Sequence, residues 1–81
     1  MWTNIKDKYP NAYGWYFCRF YDKTFGGFYV RKLLREEGYV DYVITDIVSF
    51  EHAADYSRGT LHERKDEDDI ECYFYTLNVK N

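Results

Sequence analysis

Three stretches of this chain alternate between two kinds of side chain at every second position, the period of a pleated strand. From Gly14 to Tyr21, Tyr16, Cys18 and Phe20 fall on one face, and Trp15, Phe17, Arg19 and Tyr21 on the other. Cys18 is therefore expected to point inward, with Arg19 among aromatic rings on the opposite face. From Tyr39 to Val48, one face carries Val40, Tyr42, Ile44 and Val48, and the other Tyr39, Asp41, Val43, Thr45 and Ile47. Asp46 interrupts the first of these faces near the strand's end, where a solvated carboxylate is ordinary. The third stretch, Ile70 to Val79, sets Ile70, Cys72, Phe74 and Thr76 against Glu71, Tyr73, Tyr75, Leu77 and Val79.

Between the first two strands the pattern changes. Read as a helix, residues 28–37 place Val30, Leu33 and Leu34 on one stripe and Arg31, Lys32 and Arg35 towards solvent. Arg-Lys-Leu-Leu-Arg-Glu-Glu consists of strong helix formers, and Gly38 can end a helix in the left-handed conformation. Read instead as a strand, the same residues are the second arm of a hairpin on Gly26-Gly27, and Glu36-Glu37-Gly38 becomes the next turn. The helix is the favoured reading, and the choice decides the fold class.

The remaining segments are shorter. Residues 1–13 contain the only proline, Pro10, and read as an irregular lead-in from which Trp2 and Ile5 could dock on the core. Ser49 to Tyr56 suits a short helix capped by Ser49, with Phe50, Ala53 and Ala54 inward, broken at Ser57-Arg58-Gly59. Residues 60–65 suit an edge strand, and Asp66-Glu67-Asp68-Asp69 an acidic, solvated turn.

The fold expected is thus α+β: a small two-layer domain with a three- to four-stranded, mostly antiparallel sheet packed against one main helix. Its strands are 14–21, 39–48 and 70–79, with 60–65 at the edge, and its helix is 28–37. An all-β meander or small barrel is the alternative. The expected core is Tyr16, Cys18, Phe20, Val30, Leu33, Leu34, Val40, Tyr42, Ile44, Val48, Ile70, Cys72 and Phe74. At 81 residues the chain is read as a single domain, 1–81.

Composition adds one question and one asymmetry. Ten Tyr, six Phe and two Trp exceed what so small a core needs, so the surplus either packs across a sheet or forms a recognition surface. The net charge of −3 divides unevenly along the chain. Residues 1–40 hold seven Lys/Arg against four Asp/Glu (+3), and residues 41–81 hold four against ten (−6). The halves either neutralise each other on folding or form two unlike contact surfaces. Met1-Trp2-Thr3-Asn4-Ile5-Lys6 has no apolar signal-peptide region, and no apolar run reaches the ~20 residues of a membrane span. The expectation is a soluble, cytoplasmic protein with reduced thiols.

Catalytic chemistry finds little support. Cys18, His52, His62 and Cys72 are of zinc-ligand type, but none has a partner two to five residues away, and buried thiols on apolar strand faces are the simpler reading. His52 beside Glu51, and His62 beside Glu63, are adjacent residues that point apart. No glycine-rich phosphate loop is present. Asp66 and Asp69 lie in a solvated tract, where nothing tunes a carboxylate for catalysis. The chain is read as a non-enzyme without a metal or cofactor.

Two binding readings remain. In the favoured one the chain is a protein-binding module whose contact residues are Asp66, Glu67, Asp68, Asp69, Glu71, Tyr73 and Tyr75. Such an acidic, aromatic domain would suit a viral or mobile-element inhibitor that occupies the phosphate-binding surface of a nucleic-acid-handling host protein. In the alternative, Trp15, Phe17 and Arg19 stack bases, and Lys23, Arg31, Lys32 and Arg35 neutralise phosphates.

Overall fold

A computed structural model describes residues 1–50 and 65–78, and in them each alternating stretch forms a strand, the third only as far as Tyr75 and not over the expected 70–79. They are β1 (Thr3–Asn4), β2 (Gly14–Phe20), β3 (Phe25–Leu34), β4 (Val40–Ser49) and β5 (Ile70–Tyr75). They form one five-stranded sheet in the order β1-β5-β2-β3-β4, with every neighbouring pair antiparallel. Single 3₁₀ turns, Glu67–Asp69 and Thr76–Asn78, precede and follow β5.

The expected α+β class is therefore corrected: among the described residues no helix packs on the sheet, and the architecture is closer to the all-β alternative. Residues 28–37, expected to be the main helix, are most of β3 followed by a turn. Gly38 does adopt positive φ (+91°), but it closes a β3–β4 hairpin in which the Arg35 N–H donates to the Tyr39 carbonyl. Helix propensity is worth only tenths of a kcal/mol per residue, and pairing with β4 from Val30↔Ile44 to Leu34↔Val40 outweighs it. The short helix expected at 49–56 and the edge strand at 60–65 fall almost wholly outside the described residues; Ser49 is the last residue of β4.

Two bulges set which side chains face the core. Opposite Phe28, β4 carries an extra residue between Gly27↔Val48 and Tyr29↔Thr45, and Asp46 takes the left-handed conformation there (φ +51°). Opposite the step from Arg19 to Phe20, Glu71 is extra on β5. Each bulge reverses the alternation beyond it. Ile47 thus joins Ile44 on the inner face while Val48 turns outward, and Tyr73 joins Ile70 while Cys72 and Phe74 turn outward.

The core is the inner face of this sheet: Tyr16, Cys18, Phe20, Phe28, Val30, Ile44, Ile70 and Tyr73. Tyr16 stacks on Phe28 with centroids 5.1 Å apart, and Tyr73 meets both rings edge-on. Of the expected core, Leu33, Leu34 and Val48 are exposed, and Val40, Tyr42 and Phe74 only half-buried. Gly26 is a packing requirement, since a Cβ there would sit 2.1 Å from the Val48 carbonyl oxygen and 2.7 Å from the Phe20 ring.

The lead-in crosses the inner face as a strap, and tyrosine hydroxyls hold it. Tyr73 donates to the Lys8 carbonyl (2.7 Å), and Tyr75 donates to that of Tyr13. Tyr16 donates to the Ala12 carbonyl (2.7 Å) and accepts the Ala12 N–H (3.2 Å). Pro10, within the strap, is fully buried. Three of the ten tyrosines are thereby accounted for: their rings line the inner face while their hydroxyls satisfy a backbone that has no ladder of its own.

Candidate binding face

The outer face of the sheet carries mainly Trp and Phe, with Tyr29 beside Trp15. Side chains from β2, β3, β5 and the residue before β1 project there because cross-strand partners share a face: Phe17 opposite Phe74 and Gly27, Trp15 opposite Tyr29, Arg19 opposite Cys72 and Phe25. Trp2 packs edge-on against Phe74 (4.7 Å between centroids) and lies 6.2 Å from Phe25. Phe17 contacts Phe74 at 5.3 Å, and Trp15 meets Tyr29 edge-on at 5.1 Å. These rings touch one another yet stay open to solvent: Phe25 is 50%, Trp15 49%, Trp2 40% and Phe17 38% exposed. Trp15, Phe17 and Arg19 were legible as one face from the alternation of β2. Trp2, Phe25 and Phe74 were not, because Trp2 comes from the lead-in, Phe25 opens β3 within a run that reads as a turn, and Phe74 lies beyond a bulge.

Charge surrounds the rings. The Arg19 guanidinium lies over the Trp2 ring at 5.8 Å and pairs with Glu71 at 3.4 Å, and Glu71 also accepts a hydrogen bond from Lys23 at 2.9 Å. The Lys23 hydrogen bond is the main reason the Glu71 carboxyl is held below its ordinary range, with the charges of Lys23 and Arg19 adding to it. Asp22 pairs with Lys65, and Arg35 with Asp41. Arg19, Lys23 and Arg35 of the positive first half thus meet Glu71 and Asp41 of the negative second half, while Asp22–Lys65 joins the halves in the opposite sense.

The seven residues first assigned to a protein contact separate. Asp66, Glu67, Asp68 and Asp69 form the turn before β5, where the Asp66 N–H donates to the Asp69 carboxylate at 2.7 Å. Asp66, Glu67 and Asp68 are exposed and Asp69 half-buried. Glu71 belongs to the ion-paired rim, Tyr73 is in the core, and Tyr75 is half-buried with its hydroxyl on the strap. Of the alternative set, Trp15, Phe17, Arg19 and Arg31 share the outer face, and Lys32 projects from the other side of β3 with its ammonium 5.8 Å from the Tyr13 ring centre. Lys23 and Arg35 sit in the turns at opposite ends of β3, each already paired with a carboxylate.

Cys18 and Cys72 are free, buried thiols that leave opposite faces of the sheet. Burial pushes the Cys18 thiol up to about 12, and that of Cys72 in the same direction. Such thiols are poor nucleophiles at neutral pH. His52 and His62 lie outside the described residues. Among the described residues no three Cys, His, Asp or Glu side chains converge as a metal would need. No helix among the described residues is long and apolar enough to cross a membrane. Comparison with protein-family models, with curated proteins and with solved structures finds no match.

Proposed function

We propose that this protein is a non-catalytic module that binds another protein through the aromatic outer face of its sheet. The observation that carries this reading is that Trp2, Trp15, Phe17 and Phe25 are all solvent-exposed on one face while in contact with further rings. Rings already held by their neighbours lose little freedom on binding and offer large apolar area, as interface anchors do. Around them, ion-paired Arg19, Lys23 and Glu71 form a polar rim. The acidic turn 66–69 stands at one end of the sheet, available to steer a basic partner surface by its charge. A host protein that handles nucleic acid would present such a surface, which is how the inhibitor reading fits this geometry.

The nucleic-acid reading has one observation in its favour, the closeness of Trp15, Tyr29, Arg31 and Lys32. Against it, Arg19, Lys23 and Arg35 are engaged by carboxylates, which leaves few cations to replace the counterions of a phosphate chain.

The test is a pull-down from lysate with and without nuclease, using the wild-type protein and the Trp2→Ser/Phe25→Ser variant. Protein capture that resists nuclease and is lost in the variant supports the module. Capture that vanishes with nuclease, or that the variant retains, overturns it.

A further inference from the structure

We infer that the open edge of β3 at residues 32–34 is a strand-addition site for an extended acidic segment of a partner protein. This rests on the protein-binding reading and names the chemistry of what is bound.

β2 stops pairing with β3 at Gly14↔Val30, while β3 runs on to Leu34 with β4 as its one neighbouring strand among the described residues. Gly14, at φ +127°, turns the chain out of the sheet, and the hydroxyls of Tyr16 and Tyr75 hold residues 12 and 13 away from β2's line. The edge is therefore not covered by the chain's own lead-in. The Ile44 N–H points to the Tyr9 hydroxyl (3.4 Å), away from β3, which fixes the alternation of the β3–β4 ladder. It follows that Val30, Lys32 and Leu34 direct their backbone groups towards β2. Those of Val30 meet Gly14, and those of Lys32 and Leu34 face an edge that carries no strand among the described residues.

A groove of about 630 Å³ opens at this point, walled by Tyr13, Trp15, Tyr29 and Leu33. Arg31 and Lys32 also line it, with Asp46 at its rim, so the groove carries one net positive charge. Among the described residues Arg31 has no ion pair, and the Lys32 ammonium has only the Tyr13 ring. An incoming strand that continues the line of β2 would exchange both N–H and C=O hydrogen bonds with Lys32 and Leu34. Its side chain opposite Leu33 would enter the groove beside Trp15, and a carboxylate two residues along would reach Arg31. A phosphate chain uses only the donors of such an edge and leaves the two carbonyls unmet, which is why a peptide is the better occupant.

The test uses the blocked pentapeptide acetyl-Glu-Thr-Phe-Thr-Glu-amide, which ends opposite Arg31 and short of the Gly14↔Val30 pair, the same peptide with Lys for Glu, and oligothymidylate, each titrated into the full chain by NMR. The acidic peptide should shift the Lys32 and Leu34 amides saturably and slow their exchange, and the Lys peptide should bind at least about tenfold more weakly. Arg31→Glu should reverse that order. Leu34→Pro, which removes an N–H facing away from β4, should abolish binding while the inner-face amides keep their wild-type shifts. Equal binding of both peptides, shifts elsewhere, the same amides moved by oligothymidylate alone, or by protein concentration alone as a second copy would do, each overturn the proposal. If a partner captured through Trp2 and Phe25 still binds Arg31→Glu and Leu34→Pro, the strand site fails and the module stands. If the peptide binds as described while Trp2→Ser/Phe25→Ser leaves partner capture unchanged, the aromatic-face reading fails and the strand site stands.

Discussion

Gly26–Val30 and Arg31–Leu34 are two halves of one strand with opposite fates. The first half lies between β2 and β4, and Gly26, Gly27, Phe28 and Val30 are buried. Among the described residues the second half has β4 as its one neighbour, and all four of its residues are exposed, Leu34 at 77%. Arg31 and Lys32 put charge on the second half, but Leu33 and Leu34 are as apolar as Val30 and are still exposed. What separates these leucines from Val30 is the number of neighbouring strands among the described residues. One half builds the fold, and the other is left free to make contacts outside it.

The sharpest break of this comparison is Gly26→Val. The added Cβ would meet a backbone carbonyl of β4 at 2.1 Å, and neither that ladder nor the buried Phe20 ring can move aside cheaply. The variant is expected to lack a cooperative urea transition and dispersed amide resonances, whereas Lys32→Val on the open half should give both as wild type. Next comes Phe28→Ala, which removes the ring between Tyr16 and Tyr73 and should cost about 3–5 kcal/mol in urea unfolding. A cost below about 1 kcal/mol would mean that this half is not the core.

The same contrast shows what was legible in the sequence. β2, the start of β5 and most of β4 could be read from alternation, because each has strands on one or both sides and one dry face. Residues 31–37 could not, because an exposed two-stranded ribbon imposes no face on its sequence, and Arg31 to Glu37 is free to look like a helix. The turn signals Gly26-Gly27 and Glu36-Glu37-Gly38 were present and belonged to the hairpin reading. For the site, the grouping of Trp15, Phe17 and Arg19 was legible. The inward turn of Tyr73 was not, since one extra residue at Glu71 decides it and nothing in Ile-Glu-Cys-Tyr marks a bulge.

Cys18, paired with Gly26 across the sheet, gives the buried half a pH dependence. Its thiol is raised from an ordinary 9.0 to about 12 by burial, so the folded state binds its proton more tightly than the unfolded chain does. The stability from keeping it neutral is complete below pH 9 and falls as pH rises towards 12. Cys72, Tyr16 and Tyr73, also raised by burial, act in the same direction. Urea midpoints measured from pH 7 to 11 should decline above pH 9, and Cys18→Ala should flatten part of that decline. A cysteine introduced on the open half, Lys32→Cys, should react with a thiol reagent at pH 8 at least about a hundredfold faster than Cys18.

The smallest expected effect is the most direct measure of the free half. Val30→Thr and Leu34→Thr introduce the same hydroxyl on the same strand, at positions four residues apart and on the same side of it. At Val30 the hydroxyl would enter a dry core and cost about 1–3 kcal/mol unless it found a partner. At Leu34 it would stay in water, where the β-branched side chain suits a strand at least as well as leucine, and stability should change by less than about 0.5 kcal/mol. A loss at Leu34 as large as that at Val30 would mean that the second half of β3 is covered in the free protein, and its edge could not then be open to a partner strand.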